Sequence, residues 1–301
     1  MQDPTPESMR FWEAAKKEKE EEKANGTYVP APFEGVELHQ KYDHEHFRFA
    51  QLPFRSQFWL IMNTGGKWAF IILLPVTIFV FLIGGLSVDE FFNERLEEIL
   101  LGFFPLTLGP PLLCWAIGHT IVNYFPHVWF RPPKGPLWEL NRRTGLVTFF
   151  DYKHFKKDGV IDEVIAPFYE FDAYIVTSPD RQGLPMNGLF LIHRYRDIRI
   201  NFNDLSTPDN TTQKPCALWD FLQNFMDVSR PLPELPRYES HRHLDPVTAE
   251  YDRKTGREPR YWIDMDNDTF KAKVKEMLGR IDVIDTFSRP NLMAKHVKYV
   301  D

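Results

Sequence analysis

Cysteine is scarce in this chain, which has 2 among its 301 residues. Cys114 lies within an apolar run and Cys216 at the start of a predicted helix, so their surroundings differ too much for a disulfide framework. Two isolated thiols are typical of a soluble part that remains in a reducing compartment.

The chain also lacks an excess of positive charge. Its 36 Lys and Arg residues stand against 42 Asp and Glu residues, which leaves a formal net charge of −6. This balance gives no support to electrostatic binding of DNA or RNA, so we expect no nucleic-acid partner.

Sequence motifs of common catalytic sites are missing as well. The chain contains no GxSxG, no GxxxxGK[ST] and no HExxH, the patterns of a nucleophile elbow, a phosphate-binding loop and a zinc protease. We therefore predict a non-enzymatic protein without a cofactor. An enzyme would need a polar pocket that converges on His193, His241 or His243.

Two segments resemble metal sites only in part. His241 and His243 have no second cluster at zinc spacing. The acids of residues 264–268 match the start of a calcium loop, but Thr269 stands where the loop needs glycine and Lys275 where it needs a bidentate glutamate. We expect no metal site here, and an acidic turn that caps a helix.

Two long apolar runs are the main positive feature. Residues 68–88 and 100–125 contain no charged side chain, and about 20 helical residues cross a hydrocarbon core of about 30 Å. The N-terminal region has no apolar core of the kind found in a cleavable signal peptide. We therefore predict a transmembrane hairpin whose first span acts as an internal anchor.

Charged residues around the two runs predict their orientation. The gap at residues 89–99 holds five acids and one base, whereas bases flank the pair on both outer sides. The flanking bases are Arg48, Arg55, Lys67, Arg131, Lys134, Arg142 and Arg143. Because basic residues are retained in the cytoplasm, we predict a multi-pass membrane protein with both termini cytoplasmic.

Details within and before the hairpin add two expectations. His119 and Asn123 lie one helical turn apart near the end of the second run, and we expect an interface pair or an interhelical hydrogen bond from them in preference to a proton relay. Residues 57–62 form a short apolar stretch that ends at a polar, glycine-containing segment, 63–67. We expect this stretch to lie at the membrane interface.

The segments outside the hairpin divide into three parts. Residues 1–56 are predicted as a charged helix over 5–24, either solvated or partner-binding, followed by an irregular segment. Residues 57–127 hold the interfacial stretch and the hairpin, and residues 128–230 the β-domain. Residues 231–301 form an extension with a short helix at 268–280, which we expect Asp268 to cap.

Alternating apolar and polar residues predict six antiparallel strands in residues 128–230. A helical apolar pattern follows at 216–228. The predicted strands are 136–141, 146–152, 162–168, 169–176, 188–195 and 197–202. We therefore predict an α+β membrane protein, with a cytoplasmic pleckstrin-homology-like β-domain capped by one helix.

Basic residues between two of these strands are a candidate contact surface. Lys153, Lys156 and Lys157 lie shortly after the membrane and suit anionic lipid head groups or a partner. Acidic neighbours such as Asp151 and Asp162 dilute their charge. A solvated hairpin tip is the alternative.

The segment FRPPKGPLWELNRRTGLVTFFDY, residues 130–152, resembles an uncharacterised family of bacterial two-helix inner-membrane proteins. That family is encoded near type VI secretion effectors, and some members are regarded as immunity proteins. The specific part of the resemblance covers residues 141–150. It implies a non-enzymatic protein that binds or neutralises a secreted antibacterial effector. The alternative is a membrane-tethered adaptor whose pleckstrin-like domain binds a cytoplasmic protein or lipid head groups.

Overall fold

The computed structural model describes residues 4–30, 34–87, 102–288 and residue 292. It is a mixed α+β structure with two compact units. We call one the β-unit; it comprises the described parts of Met1–Pro30, His39–Gln51 and Gly135–Asp301. The other, the helical unit, comprises the described parts of Ala31–Leu38 and Leu52–Lys134.

Five strands form the first antiparallel sheet of the β-unit, in sequence order across the sheet. They are β1 (Lys41–Tyr42), β2 (His46–Phe49), β3 (Trp138–Asn141), β4 (Leu146–Asp151) and β5 (Asp162–Pro167). The register places Phe49 opposite Trp138. Strands β2 and β3 are therefore neighbours although the whole hairpin lies between them in sequence.

Strands β1 and β2 correct one expectation, because the sequence analysis treated residues 27–56 as irregular beyond the first helix. Phe47 and Phe49 are buried at 4% and 7% exposure, and Arg48 between them pairs with Glu139 on β3. A four-residue strand gives too short an alternation to be recognised without its partner. The partner strand, β3, begins only after the hairpin.

A second antiparallel sheet contains β6 (Phe171–Pro179), β7 (Pro185–His193) and β8 (Arg199–Asn201). The six strands predicted after the hairpin are confirmed as antiparallel strands. Ile198, Ile200 and Phe202 are all buried, whereas Arg199 and Asn201 between them are exposed. The alternation therefore identified the buried face correctly.

One helix closes the core of the two sheets. Its apolar face matches the prediction, because Leu222 and Phe225 are fully buried. The helix itself begins slightly earlier than predicted. The Phe225 ring lies 5.8 Å from that of Phe47, and the Trp219 ring 5.7 Å from that of Phe168. Because residues of both sheets belong to this cluster, the helix packs on a single shared core.

Eight helical segments are described as α-helix, in chain order α1 to α8. They are α1 (Pro6–Asn25), α2 (Phe54–Ser87), α3 (Phe104–Tyr124), α4 (Pro126–Trp129), α5 (Phe155–Asp158), α6 (Gln213–Met226), α7 (Pro246–Thr255) and α8 (Asn267–Asp282). The helix that closes the core is α6. Short 3-10 helices cover Phe168–Glu170 and Pro236–Leu244.

Helix α1 packs at its N-terminal half on the C-terminal region of the β-unit. Met9 is buried with Trp262 and Phe270 in a second apolar cluster, and the Arg10 guanidinium donates to the Ile263 carbonyl at 2.8 Å. The sequence had left a solvated helix or a partner-binding helix open. The structure shows that its first turns dock within the chain through Met9 and that most of its other side chains are exposed.

The N-cap of α8 also differs from the prediction. The Asp266 carboxylate, not that of Asp268, accepts from the backbone N–H groups of Asp268 and Thr269. The acidic turn therefore caps a helix as expected, two residues earlier than expected.

The helical unit contains two helices that are long and apolar enough to cross a membrane, judged by length and composition. Helix α2 runs without interruption through residues 57–67, so the stretch at 57–62 belongs to the same helix as the first apolar run; its place at a membrane interface stays a prediction. Most large apolar side chains of both helices are exposed, among them Phe79 at 62% and Leu106 at 76%. The acidic gap at residues 89–99 lies outside the described residues.

Candidate functional site

The two apolar helices approach each other closely at two glycines. A Cβ added to Gly66 would lie 2.6 Å from the Trp115 backbone nitrogen, and one added to Gly118 would lie 2.6 Å from that of Asn63. Higher residue numbers on α2 thus face lower numbers on α3, so the helices are antiparallel. Only glycine leaves room for such backbone contact.

The base of this apolar hairpin is closed by Ser56, which is fully buried. Its hydroxyl donates to the Trp129 carbonyl at 3.0 Å and accepts from the Arg131 backbone N–H at 2.9 Å. The Trp129 indole N–H in turn donates to the Val122 carbonyl at 3.0 Å. These bonds tie the start of α2 to the segment that follows α3.

His119 and Asn123 contact each other within α3. The Asn123 amide donates to the His119 carbonyl at 2.8 Å and lies 3.0 Å from the ring nitrogen Nδ1. Both side chains are exposed. The pair therefore bonds within α3 and not across to α2, as two residues one turn apart on one helical face can; the expected interface pair stays a prediction.

The basic candidate residues lie in the connection between β4 and β5, which contains α5. The Lys153 ammonium lies 3.1 Å from the Asp151 carboxylate, and His154 lies 2.7 Å from Asp162. The Lys153 backbone N–H and its ammonium lower the pKa of Asp151 below its ordinary value. Lys157 is exposed, and Lys156 lies on the same short helix. Acids next to this segment thus offset part of its charge.

The buried histidine of the second sheet has a structural environment. The Nδ1 atom of His193 accepts from the backbone N–H groups of Tyr195 and Arg196, both at 3.0 Å. Its Nε2 atom lies 2.8 Å from the Glu170 carboxylate, and the side chain is 1% exposed. Both ring nitrogens are used to hold the turn after β7, which is the role of a satisfied core histidine.

His241 and His243 lie on the 3-10 helix Pro236–Leu244. The His241 ring stacks against that of His44 with 6.3 Å between centroids, and the Ser240 hydroxyl lies 3.1 Å from its Nδ1 atom. Burial lowers the pKa of His241, an effect that the nearby Asp43 carboxylate opposes. Over the described part of the chain, no group of three or more metal-ligating side chains has suitable geometry.

Arg142 is a residue that the sequence analysis counted only as a flanking base. Its side chain is 2% exposed, and burial lowers its pKa. The guanidinium donates to the carbonyls of Asn224 and Phe225 in the last turn of α6, and to that of Arg230 at 2.6 Å. It therefore caps α6 from the β3–β4 turn. No local signal distinguishes it from exposed Arg143.

Comparison with protein-family models, with curated proteins and with solved structures found no match for this chain.

Proposed function

We propose that the apolar hairpin spans a bacterial inner membrane and that the β-unit, a pleckstrin-homology-like domain, lies in the cytoplasm with both termini. The pairing of β2 with β3 carries this proposal. Strand β2 precedes the hairpin and β3 follows it. Because the two strands are hydrogen-bonded to each other in one sheet, both must lie on the same side of a bilayer. Two spans return the chain to the side from which it started.

The distribution of charge supports the cytoplasmic side. Arg55 lies at the start of α2 and Lys67 directly before its uncharged run, whereas residues 89–99 carry five acids and one base. Such a bias retains the ends of the hairpin inside the cell. The exposed apolar side chains along α2 and α3 suit lipid contact, since water is a poor solvent for so large an apolar surface.

For this anchored β-unit we propose a non-enzymatic immunity-type function, in which the protein binds or neutralises a secreted antibacterial effector. The resemblance carried by residues 141–150 supports it. So does the architecture, because a hairpin with little chain outside the cell would meet a membrane-active toxin in the bilayer or on its inner face.

The test is protection of a sensitive bacterial strain. The effector gene next to the gene for this chain would be expressed from an inducible promoter, with and without the chain. We expect survival to rise when the chain is present. A chain with Gly66→Leu, which separates the two helices, serves as a matched control for the hairpin. Killing that is equal with and without the intact chain would refute the immunity function.

A membrane-tethered adaptor is the second candidate, and the edge strand β6 favours it. The Arg194 N–H donates to the Glu170 carbonyl, so even-numbered residues of β6 bond to β7. The backbone groups of Ala173, Ile175 and Thr177 therefore point to the outer edge of the sheet. An extended partner segment can add a strand at such an edge. Protein capture that Ile175→Pro abolishes, with effector protection unchanged, would favour the adaptor.

A further inference from the structure

A cleft of about 560 Å³ separates α1 from the 3-10 helix Pro236–Leu244 in the β-unit. Its apolar wall includes Met9, Trp12 and Leu244. Trp12 is 57% exposed although it lines the cleft. The cleft has the size of sites that hold small organic ligands, which range from about 300 to 1,000 Å³.

The walls of the cleft are fixed by contacts behind them. Met9 is 7% exposed and belongs to the apolar cluster of the C-terminal region. The Arg10 guanidinium bonds to the Ile263 carbonyl at 2.8 Å. Because α1 is held at these points, the cleft is a preformed feature of the β-unit.

The polar lining is predominantly basic. Lys16 comes from α1, and Arg237, His241 and His243 from the opposite 3-10 helix. Among the described lining residues Glu13 is the one acid, and both of its oxygens accept from Arg260 at 3.0 and 3.1 Å. The Glu13 carboxylate is thus hydrogen-bonded outside the basic group, by an arginine that also donates to Asp264.

We propose that this cleft binds a small organic anion that joins an apolar ring or chain to a carboxylate or phosphate group. The Trp12 ring and its apolar neighbours take the apolar part. Lys16 and Arg237 supply positive charge to the anionic group from the two sides of the cleft, and a neutral imidazole can donate a ring N–H to it. This site is independent of the proposed protection against an effector.

The experiment is calorimetric titration of the full chain in lipid nanodiscs, with protein-free nanodiscs as the blank. The probe is 4-phenylbutyrate; neutral 4-phenylbutanol and ring-free butyrate are its controls. Phenyl phosphate is titrated in parallel to distinguish phosphate from carboxylate recognition. We expect 4-phenylbutyrate or phenyl phosphate to bind at least about tenfold more tightly than either control.

Adjacent residues on α1 provide matched variants. We expect Trp12→Ala and Lys16→Gln each to weaken binding, the former by about tenfold. Phe11→Ala and Lys17→Gln change exposed neighbours that do not line the cleft, so affinity should stay the same. Equal affinity for the neutral alcohol, equal losses in both pairs of variants, or no heat above the blank would each overturn the proposal.

Discussion

Replacing Arg142 with Met should detach the end of α6 from the β3–β4 turn. The Met side chain fills similar space but donates no hydrogen bond. The carbonyls of Asn224, Phe225 and Arg230 would lose a charged donor, and Asp245 would lose the cation that lies 3.7 Å from its carboxylate.

The expected cost follows from these contacts. Removing one partner from a buried, hydrogen-bonded charge site costs about 3–5 kcal/mol. The lower figure corresponds to a change of more than about 100-fold in an opening equilibrium. Arg143, the next residue, has a side chain that is 78% exposed and pairs with Glu45 at 3.3 Å. Such a surface pair contributes at most about 1 kcal/mol, or roughly fivefold.

The buried thiol of Cys216 in α6 provides the assay. In a Cys114→Ser background, the rate at which a thiol reagent labels Cys216 reports how often this region opens. We expect Arg142→Met to accelerate labelling by more than about 100-fold and Arg143→Met by less than about tenfold. Arg142→Lys retains the charge without the planar fork and should fall between them.

The two arginines are adjacent in sequence but differ in burial, so the ratio of the two labelling rates isolates the effect of the buried guanidinium. If Arg142→Met and Arg143→Met accelerated Cys216 labelling equally, the guanidinium of Arg142 would not hold α6. An unchanged rate in both variants would mean that the carbonyls at the end of α6 find other donors at little cost.

Three further predictions test other parts of the molecule. Gly66→Ala should lower the thermal unfolding midpoint of the nanodisc-bound chain, because the added methyl group meets the Trp115 backbone. Gly109→Ala meets nothing within 4 Å and should leave the midpoint unchanged. Equal midpoints in the two variants would contradict close helix contact. Neutralising the basic segment should weaken the binding of protein-loaded neutral nanodiscs to anionic liposomes, measured by co-sedimentation. Because neighbouring acids offset the charge, the loss of binding free energy should be less than the about 1 kcal/mol per lysine of a free polybasic segment. A larger loss would identify a lipid site. The lysines changed to Gln are Lys153, Lys156 and Lys157. Burial alone would raise the pKa of Asp43, but two backbone N–H groups and Lys41 lower it to about 2. Its stabilisation is therefore present above pH about 4 and lost towards pH 2, on the order of 1–2 kcal/mol. Urea unfolding at pH 5 and pH 3 should show a smaller pH dependence for Asp43→Asn.

The sequence predicted the elements whose signal is local. Alternation around Ile198 and Ile200 identified a half-buried strand, and the apolar face of α6 identified the helix that closes the core. Strands β1 and β2 were missed because their signal is not local: Phe47 and Phe49 are buried by partners that the chain reaches only after the hairpin.

The glycines of α2 show how packing overrides a local rule. Gly65 and Gly66 normally indicate a break in a helix, yet α2 continues through them. Gly66 is the point at which the α3 backbone makes contact, so the gain from close packing outweighs the intrinsic helix penalty of about 1 kcal/mol for glycine. At His119 and Asn123 local geometry decides the contact, and packing between the helices does not. Their spacing predicted a common face correctly, but the bond they form is local.

The residues that carry the family resemblance build a fold element. Asn141 accepts from the Thr144 backbone N–H, Gly145 adopts a positive φ of 70° in the turn, and Arg142 holds α6. Residues 141–150 thus form the β3–β4 hairpin and connect it to α6, and the buried side chain of Arg142 is already used within the fold. Specificity for a partner or ligand must therefore come from exposed surfaces. Two of these are the edge of β6 and the basic cleft beside Trp12.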